Sequence, residues 1–356
     1  MTLGVGNKIS VIRDGFMRIV TSNYIIDEVD YKYITLINKK LMEIKLSTCG
    51  AGIKEIKVPN KEGLVKTVTL APVDDKLYNE AYHGKIIGRT SGRMENATFT
   101  IDGLTANLEK NNQGTDNLHG GSTGLHQQNF DVEINEINEY TDVIFTHFSP
   151  DGEGGYFGNV NIKITYRVYE NINKFDIIIN GKSDCKNLLN ITNHVYWNLN
   201  GDLSNKILEH ELYINASKRG VLNERSILTD IIPVSKEFDF RKPKLLGQDI
   251  NADCVTLNTV GYDHPFYLDE NANIVSYLYC KDSGIKLNIK TTYPVIVCYS
   301  NNYPEYDVEV FKGVYDNMHM AVCLECQYSP NSLKMTPENA GVFDEEYNEV
   351  IEYEFV

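Results

Sequence analysis

Apolar and polar positions alternate with a period of two along much of this chain. Val160-Asn-Ile162-Lys-Ile164-Thr-Tyr166-Arg-Val168 puts apolar residues on one face and polar residues on the other, which predicts a half-buried strand. Met42-Glu-Ile44-Lys-Leu46 follows the same rule, and Ile351-Glu-Tyr353-Glu-Phe355 predicts that the chain ends paired in a sheet. Asp151-Gly152, Asn171-Ile-Asn173, Asn180-Gly181 and Asp282-Ser-Gly284 read as turns between such runs. Helical periodicity is scarce; Leu203 to Glu211 has room for a turn or two. With no Pro/Ser/Gly-rich linker and no repeat of fixed period, the pattern predicts an all-β fold, a large antiparallel β-sandwich. Residues 1–356 then form one domain, with about the first 30 as a peripheral N-terminal extension.

Composition supports the strand reading, since 23 Tyr and 13 Phe accompany many Ile, Val and Thr. The 49 acidic side chains outnumber the 34 basic ones, for a net charge of −15. That balance speaks against nucleic-acid and anionic-membrane partners, because phosphate backbones are held by Lys and Arg. No window approaches about 18 uninterrupted apolar residues, and the opening MTLGVGNKIS lacks the form of a secretion signal. A cytoplasmic protein, monomer or homodimer, is the expectation. The seven cysteines, at 49, 185, 254, 280, 298, 323 and 326, are odd in number and scattered, which predicts buried reduced thiols. Cys323 and Cys326 have C-x-x-C spacing, but in a strand positions i and i+3 face opposite ways, and no second pair completes a zinc site. Gly84, Gly88 and Gly92 lack the spacing of a dinucleotide loop.

Five stretches place ionisable side chains among strand-like apolar residues: Gly88-Arg-Thr-Ser-Gly-Arg-Met94, Asp116-Asn-Leu-His-Gly-Gly121, Asn190-Ile-Thr-Asn-His-Val-Tyr-Trp-Asn-Leu199, Gly261-Tyr-Asp-His-Pro-Phe266 and Val322-Cys-Leu-Glu-Cys-Gln-Tyr328. A lone histidine in a sheet is usually a satisfied core group. Glu325, flanked by Leu324 and Cys326 after an apolar run, is costly to bury unpaired, so it is expected to face a cleft with partners. His194 precedes Tyr196-Trp197, a pair able to form a flat apolar wall. Such walls suit the C–H face of a sugar ring, while Asn, Asp, Arg and His serve its hydroxyls. A carboxylate and an imidazole in one cleft also form a general acid/base pair.

Taken in order, these stretches resemble the aldose 1-epimerase (galactose mutarotase) family over nearly the full length. Met42-Glu-Ile-Lys-Leu46, Gly50-Ala-Gly-Ile53, Val58-Pro-Asn-Lys-Glu-Gly63 and Ser149-Pro-Asp-Gly-Glu-Gly-Gly-Tyr-Phe-Gly-Asn159 add to the likeness. The resemblance implies a β-sandwich that interconverts α and β anomers of free aldohexoses such as galactose and glucose, with no cofactor or metal. It assigns Glu325 as general base and His194 as general acid, with Arg93, His119 and Asp263 binding the sugar. On that reading Glu325 works as a carboxylate beside a protonated His194, with a bell-shaped rate profile around neutral pH. The chain departs from the family pattern at Gly92, where Asn is frequent, and at Cys326 and Tyr328 after the base. Rival readings are a hexose-phosphate 1-epimerase, whose phosphate could draw on Lys85, Arg89 and Arg93, a non-catalytic carbohydrate-binding protein, and a glycoside hydrolase using Glu325 with Asp263.

Overall fold

A computed structural model describes residues 17–270, 272–334 and 340–356. Most of the predicted N-terminal extension, residues 1–16, lies outside the described residues. The rest of it includes Arg18–Ile26, an edge strand that pairs along its whole length with Val29–Ile37.

The described strands gather into three larger antiparallel sheets. A nine-stranded sheet runs in the order Asp131–Ile137, Tyr140–Ser149, Val160–Tyr169, Lys174–Ser183, Glu346–Phe355, Lys286–Thr291, Ser276–Cys280, His210–Ile214 and Lys244–Leu245. A five-stranded sheet carries Arg18–Ile26, Val29–Ile37, Glu43–Ser47, Gly52–Pro59 and Val65–Thr67. The second five-stranded sheet, which bears the cleft, has the order Leu228–Pro233, Ala216–Leu222, Asp263–Leu268, Val295–Tyr299 and Cys323–Gln327. All three feed one buried apolar cluster. Leu36, Ile44 and Leu46 come from the N-terminal sheet, Ile164, Ile177 and Ile351 from the large sheet, and Phe266, Ile296 and Leu324 from the cleft-bearing sheet. Burying the inner faces of alternating strands against one another makes this a sandwich. Among the described residues no helix is long and apolar enough to cross a membrane.

Val160–Tyr169 and Glu43–Ser47 are strands where the alternation places them, and Ile351–Phe355 lies within the strand Glu346–Phe355. Leu203 to Glu211 yields one short 3-10 turn, Ile207–Glu209, before the strand His210–Ile214 begins. One expectation fails locally. Asn180-Gly181 is mid-strand in Lys174–Ser183, where a side chain on Gly181 would come within 2.6 Å of the Leu189 side chain. Close packing, not a turn, accounts for that glycine.

The cysteines are free, and five of the seven are buried; Cys254 is exposed and Cys185 intermediate, so those two depart from the expected burial. Cys326 packs in the main core, whereas Cys323 packs in a separate cluster with Leu70, Tyr196 and Met320. Opposite faces of one strand explain their separation.

Candidate active site

Strand alternation builds the floor of the cleft. In the cleft-bearing sheet Asp263 pairs with Tyr299, and Pro265, Val297 and Glu325 form a cross-strand row. Those residues, with Gln327, line a cavity of about 310 Å³. The intervening residues Phe266, Ile296, Cys298, Leu324 and Cys326 turn into the core. One face of the sheet is thus polar and open while the other is apolar and closed.

His194 is delivered by backbone pairing. Its N–H donates to the Lys85 carbonyl at 2.9 Å, and its own carbonyl accepts from the Gly84 N–H at 2.8 Å. The segment before it is stitched to the Glu325 strand. Thr192 Oγ1 donates to the Cys326 carbonyl at 2.7 Å, and the Asn190 carboxamide bonds both the carbonyl and the N–H of Tyr328, at 3.0 and 2.8 Å. These bonds bring His194 Nε2 to 3.5 Å from Glu325 Oε1, with both side chains buried. Three further aromatic rings lie nearly parallel to the imidazole in series. Tyr82 lies 6.2 Å and Tyr196 5.0 Å from it between ring centroids, and His83 stacks on Tyr196 at 3.9 Å. With its Nδ1 unpartnered, the imidazole is oriented by these rings and by the backbone.

Arg93 and His119 arrive on interlocking loops. Leu118 pairs with Arg93, and the His119 N–H donates to the Gly92 carbonyl at 3.1 Å. The Gly92 N–H donates to His119 Nδ1 at 3.2 Å, which leaves Nε2 to carry the ring proton as a donor. His119 holds a positive φ of 56°, the backbone turn that lets this exchange close. Arg93 Nη1 lies 3.6 Å from Asp263 Oδ2. Beneath them the fully buried Asp116 carboxylate accepts from Arg225 at 2.9 Å and from the Asn96 N–H at 2.8 Å. This ties the turn between Ala216–Leu222 and Leu228–Pro233 to the rim, where Ser226 and Leu228 line the cavity.

Burial dominates the electrostatics. It pushes the Glu325 carboxyl up to about 8, with the Asp263 charge adding and Arg93 opposing. It pushes His194 down to about 4 and holds His119 well below the usual imidazole range. Burial raises Asp263 too, against the pull of Arg93. Burial therefore disfavours the expected charge state, a carboxylate beside an imidazolium. At neutral pH the pair holds one proton, and low dielectric places it on Glu325 because the neutral form of each group is favoured.

All five predicted site residues, Glu325, His194, Arg93, His119 and Asp263, line this one cavity. The Tyr196-Trp197 wall is only half realised: Tyr196 faces the cavity, while Trp197, as the adjacent strand residue, turns inward against Tyr353 and Phe355. Lys85 and Arg89 do not serve the cleft. Lys85 is fully buried against the Asn79 carbonyl and the Cys49 sulfur, and Arg89 is spent on Ser149 and on the Pro150 and Phe157 carbonyls. Sequence reasoning missed Tyr82, His83, Tyr299 and Gln327 as lining residues. For Gln327 a signal existed, since it stands two residues beyond Glu325 and shares its strand face.

Comparison with known proteins agrees in fold and sequence. A family model described as Aldose 1-epimerase matches residues 32–344. The chain is 28% identical over 341 residues to the aldose 1-epimerase of Escherichia coli (strain K12), covering 92% of this chain and 95% of that one. It is 29% identical over 300 residues to the galactose mutarotase of Sus scrofa, covering 82% and 84%. Among solved structures, an aldose epimerase homologue from C. elegans superposes with a TM-score of 0.83 at 26% identity, over 91% of this chain and 98% of that chain. The galactose 1-epimerase of Lactobacillus acidophilus NCFM shares the fold with a TM-score of 0.82 at 24% identity, over 96% and 99%.

Proposed function

The chain belongs to the aldose 1-epimerase family, and on that premise we propose that Glu325 and His194 are its general base and general acid, with Arg93, His119 and Asp263 holding the sugar. The protein is an isomerase, a mutarotase, and its substrates are the anomers of free aldohexoses such as galactose and glucose. The observation that carries the residue assignment is the buried Glu325–His194 pair, 3.5 Å apart and facing a cavity rimmed with hydrogen-bonding side chains.

Opening a cyclic hemiacetal requires that the C1 hydroxyl lose its proton as the ring oxygen gains one. Glu325 accepts the first proton and His194 donates the second, so the bond from C1 to the ring oxygen breaks and an open-chain aldehyde forms. Rotation about C1–C2 presents the other carbonyl face. The same transfers in reverse close the ring as the other anomer and return the pair to its starting protonation. Before opening, the single proton must pass from Glu325 to His194. Because burial raises Glu325 and lowers His194, that transfer runs uphill, a cost opposed by the attraction of the ion pair it creates 3.5 Å apart. Hydrogen bonds from sugar hydroxyls to the emerging carboxylate, at roughly 1.5–3 kcal/mol each, favour the transfer.

Five carboxyl side chains line the cavity, on Glu80, Asp263, Glu305, Asp316 and Glu325, against the single guanidinium of Arg93. That balance disfavours a phosphorylated substrate and suits a neutral one. A binding-only role would leave the desolvation of a buried acid and base without use. Polarimetry of freshly dissolved α-D-galactose or α-D-glucose tests the reading: the decay of optical rotation accelerates in proportion to protein. Sugar binding without acceleration refutes it.

A further inference from the structure

Gln327 has no role in the acid/base scheme, yet its position is not that of a core residue. It follows Glu325 by two residues on the strand Cys323–Gln327 and so faces the same way, roughly 6.6 Å further along. It lines the cavity, is fully buried, and neither Oε1 nor Nε2 makes a hydrogen bond to a described group. An amide with both ends unsatisfied is among the costlier things to bury, and one lining a cavity is placed to gain partners from what binds there. The neighbouring wall offers it nothing. Gly92 has no side chain, and a Cβ added there would sit 2.7 Å from the Pro330 ring and 3.9 Å from Gln327 Nε2.

Several other polar groups around the cavity already have protein partners. Arg93 pairs with Asp263, Asp316 accepts from Asn301 and from the Glu305 N–H, and His119 Nδ1 is held by Gly92. His83 also lacks hydrogen-bond partners, but its ring is stacked on Tyr196. The terminal torsion of Gln327 is broad, as for any sp³–sp² bond. Being fully buried, the amide must turn about that torsion to meet a molecule bound in the cavity.

We propose that the Gln327 carboxamide is a sugar-hydroxyl ligand of this cleft, contacting a hydroxyl away from the anomeric centre and contributing to the choice of aldose. The proposal rests on the mutarotase reading of the same site. An amide suits the task because it offers one acceptor and two donors, so it can serve a hydroxyl in either sense.

The test uses the full chain, its Gln327→Met and Gln327→Glu variants, and the 2-, 3-, 4- and 6-deoxy forms of galactose and glucose. Mutarotation is read by polarimetry, binding by calorimetry, and folding by thermal melting. Gln327→Met should lower kcat/KM for the parent sugar about 10- to 100-fold. Removing one particular hydroxyl should cost the wild type a similar factor and cost Gln327→Met almost nothing, while discrimination at the other positions persists. Gln327→Glu should alter selectivity at that same position. The melting temperature of Gln327→Met should match or exceed that of wild type, because an unsatisfied amide is replaced by an apolar chain of similar shape. Equal sensitivity of wild type and variants at every position overturns the proposal, as does a fall in melting temperature with a uniform loss of rate. If wild type fails to accelerate mutarotation, the functional reading fails instead, and the dissociation constants across the same panel still decide for or against Gln327.

Discussion

Changing the pH titrates the Glu325–His194 pair directly, and the structure sets where each limb of the rate profile falls. With His194 at about 4 and Glu325 at about 8, the pair holds one proton between those values. Below about pH 4 it gains a second proton and no base remains; above about pH 8 it loses both and no acid remains. The active fraction is independent of which partner holds the proton, because titration counts protons and not their location. kcat/KM, which reports the free protein, should form a plateau centred near pH 6 and fall about tenfold per unit beyond each limb. At pH 9 roughly one-tenth of the plateau value should survive. The assay is the initial decay of optical rotation of fresh α-D-galactose, less the spontaneous rate in matched buffer. Asp263→Asn provides an internal control. Asp263 raises Glu325 and Arg93 lowers it, so removing the Asp263 charge should move the alkaline limb to lower pH. The acid limb should stay, since His194 is shifted mainly by its burial. A profile with its acid limb at the ordinary histidine value near 6.5, or one with no fall between pH 7 and 10, would refute the argument from burial.

Glu325→Gln should lower kcat at least about 100-fold. It should also stabilise the fold increasingly between pH 5 and 8: a carboxyl at about 8 when folded and near 4.5 when unfolded costs wild type stability as pH rises through that interval, with a ceiling of roughly 5 kcal/mol. A melting-temperature difference that does not change with pH would contradict this. For His194→Asn and His194→Gln, kcat should fall far more than KM rises, and equal losses would point to a binding role. Arg225→Gln leaves the fully buried Asp116 without its cation, so urea denaturation should show a loss of about 3 kcal/mol. A loss under about 0.5 kcal/mol, the scatter of ordinary surface substitutions, would mean that the pair does not hold the rim.

The sandwich was legible because so many strands have one face in the core, which writes alternation directly into runs such as Val160 to Val168. Reading failed where a residue answers to a distant neighbour. Gly181 is small because Leu189 crosses it, and nothing adjacent in sequence reveals that contact. Trp197 looked equivalent to Tyr196 until the strand turned one toward the cavity and the other into the core. The acid/base and sugar-binding candidates were found because a buried charge among apolar residues is unusual and because five motifs occur in family order. Their protonation was not legible, since a pKa depends on how deeply the completed fold buries the group. Tyr82 and His83 stayed hidden because an aromatic residue beside a glycine has no distinctive local pattern, and their alignment with His194 exists only once distant segments meet.

The strand Glu346–Phe355 lies between Lys174–Ser183 and Lys286–Thr291 in the large sheet. On its inner side Tyr347 meets Tyr293, whose hydroxyl donates to the Ile191 carbonyl just before His194, while Glu349 accepts from Tyr328 just after Glu325. A ribosome makes this strand last of those described. Until it emerges, two partial sheets have facing edges with nothing to join them, and the segments bearing His194 and Glu325 lack their common backing. Synthesis therefore produces the other described strands before Glu325 and His194 gain their shared backing, so the nascent chain must keep those open edges from pairing with other chains in the interval.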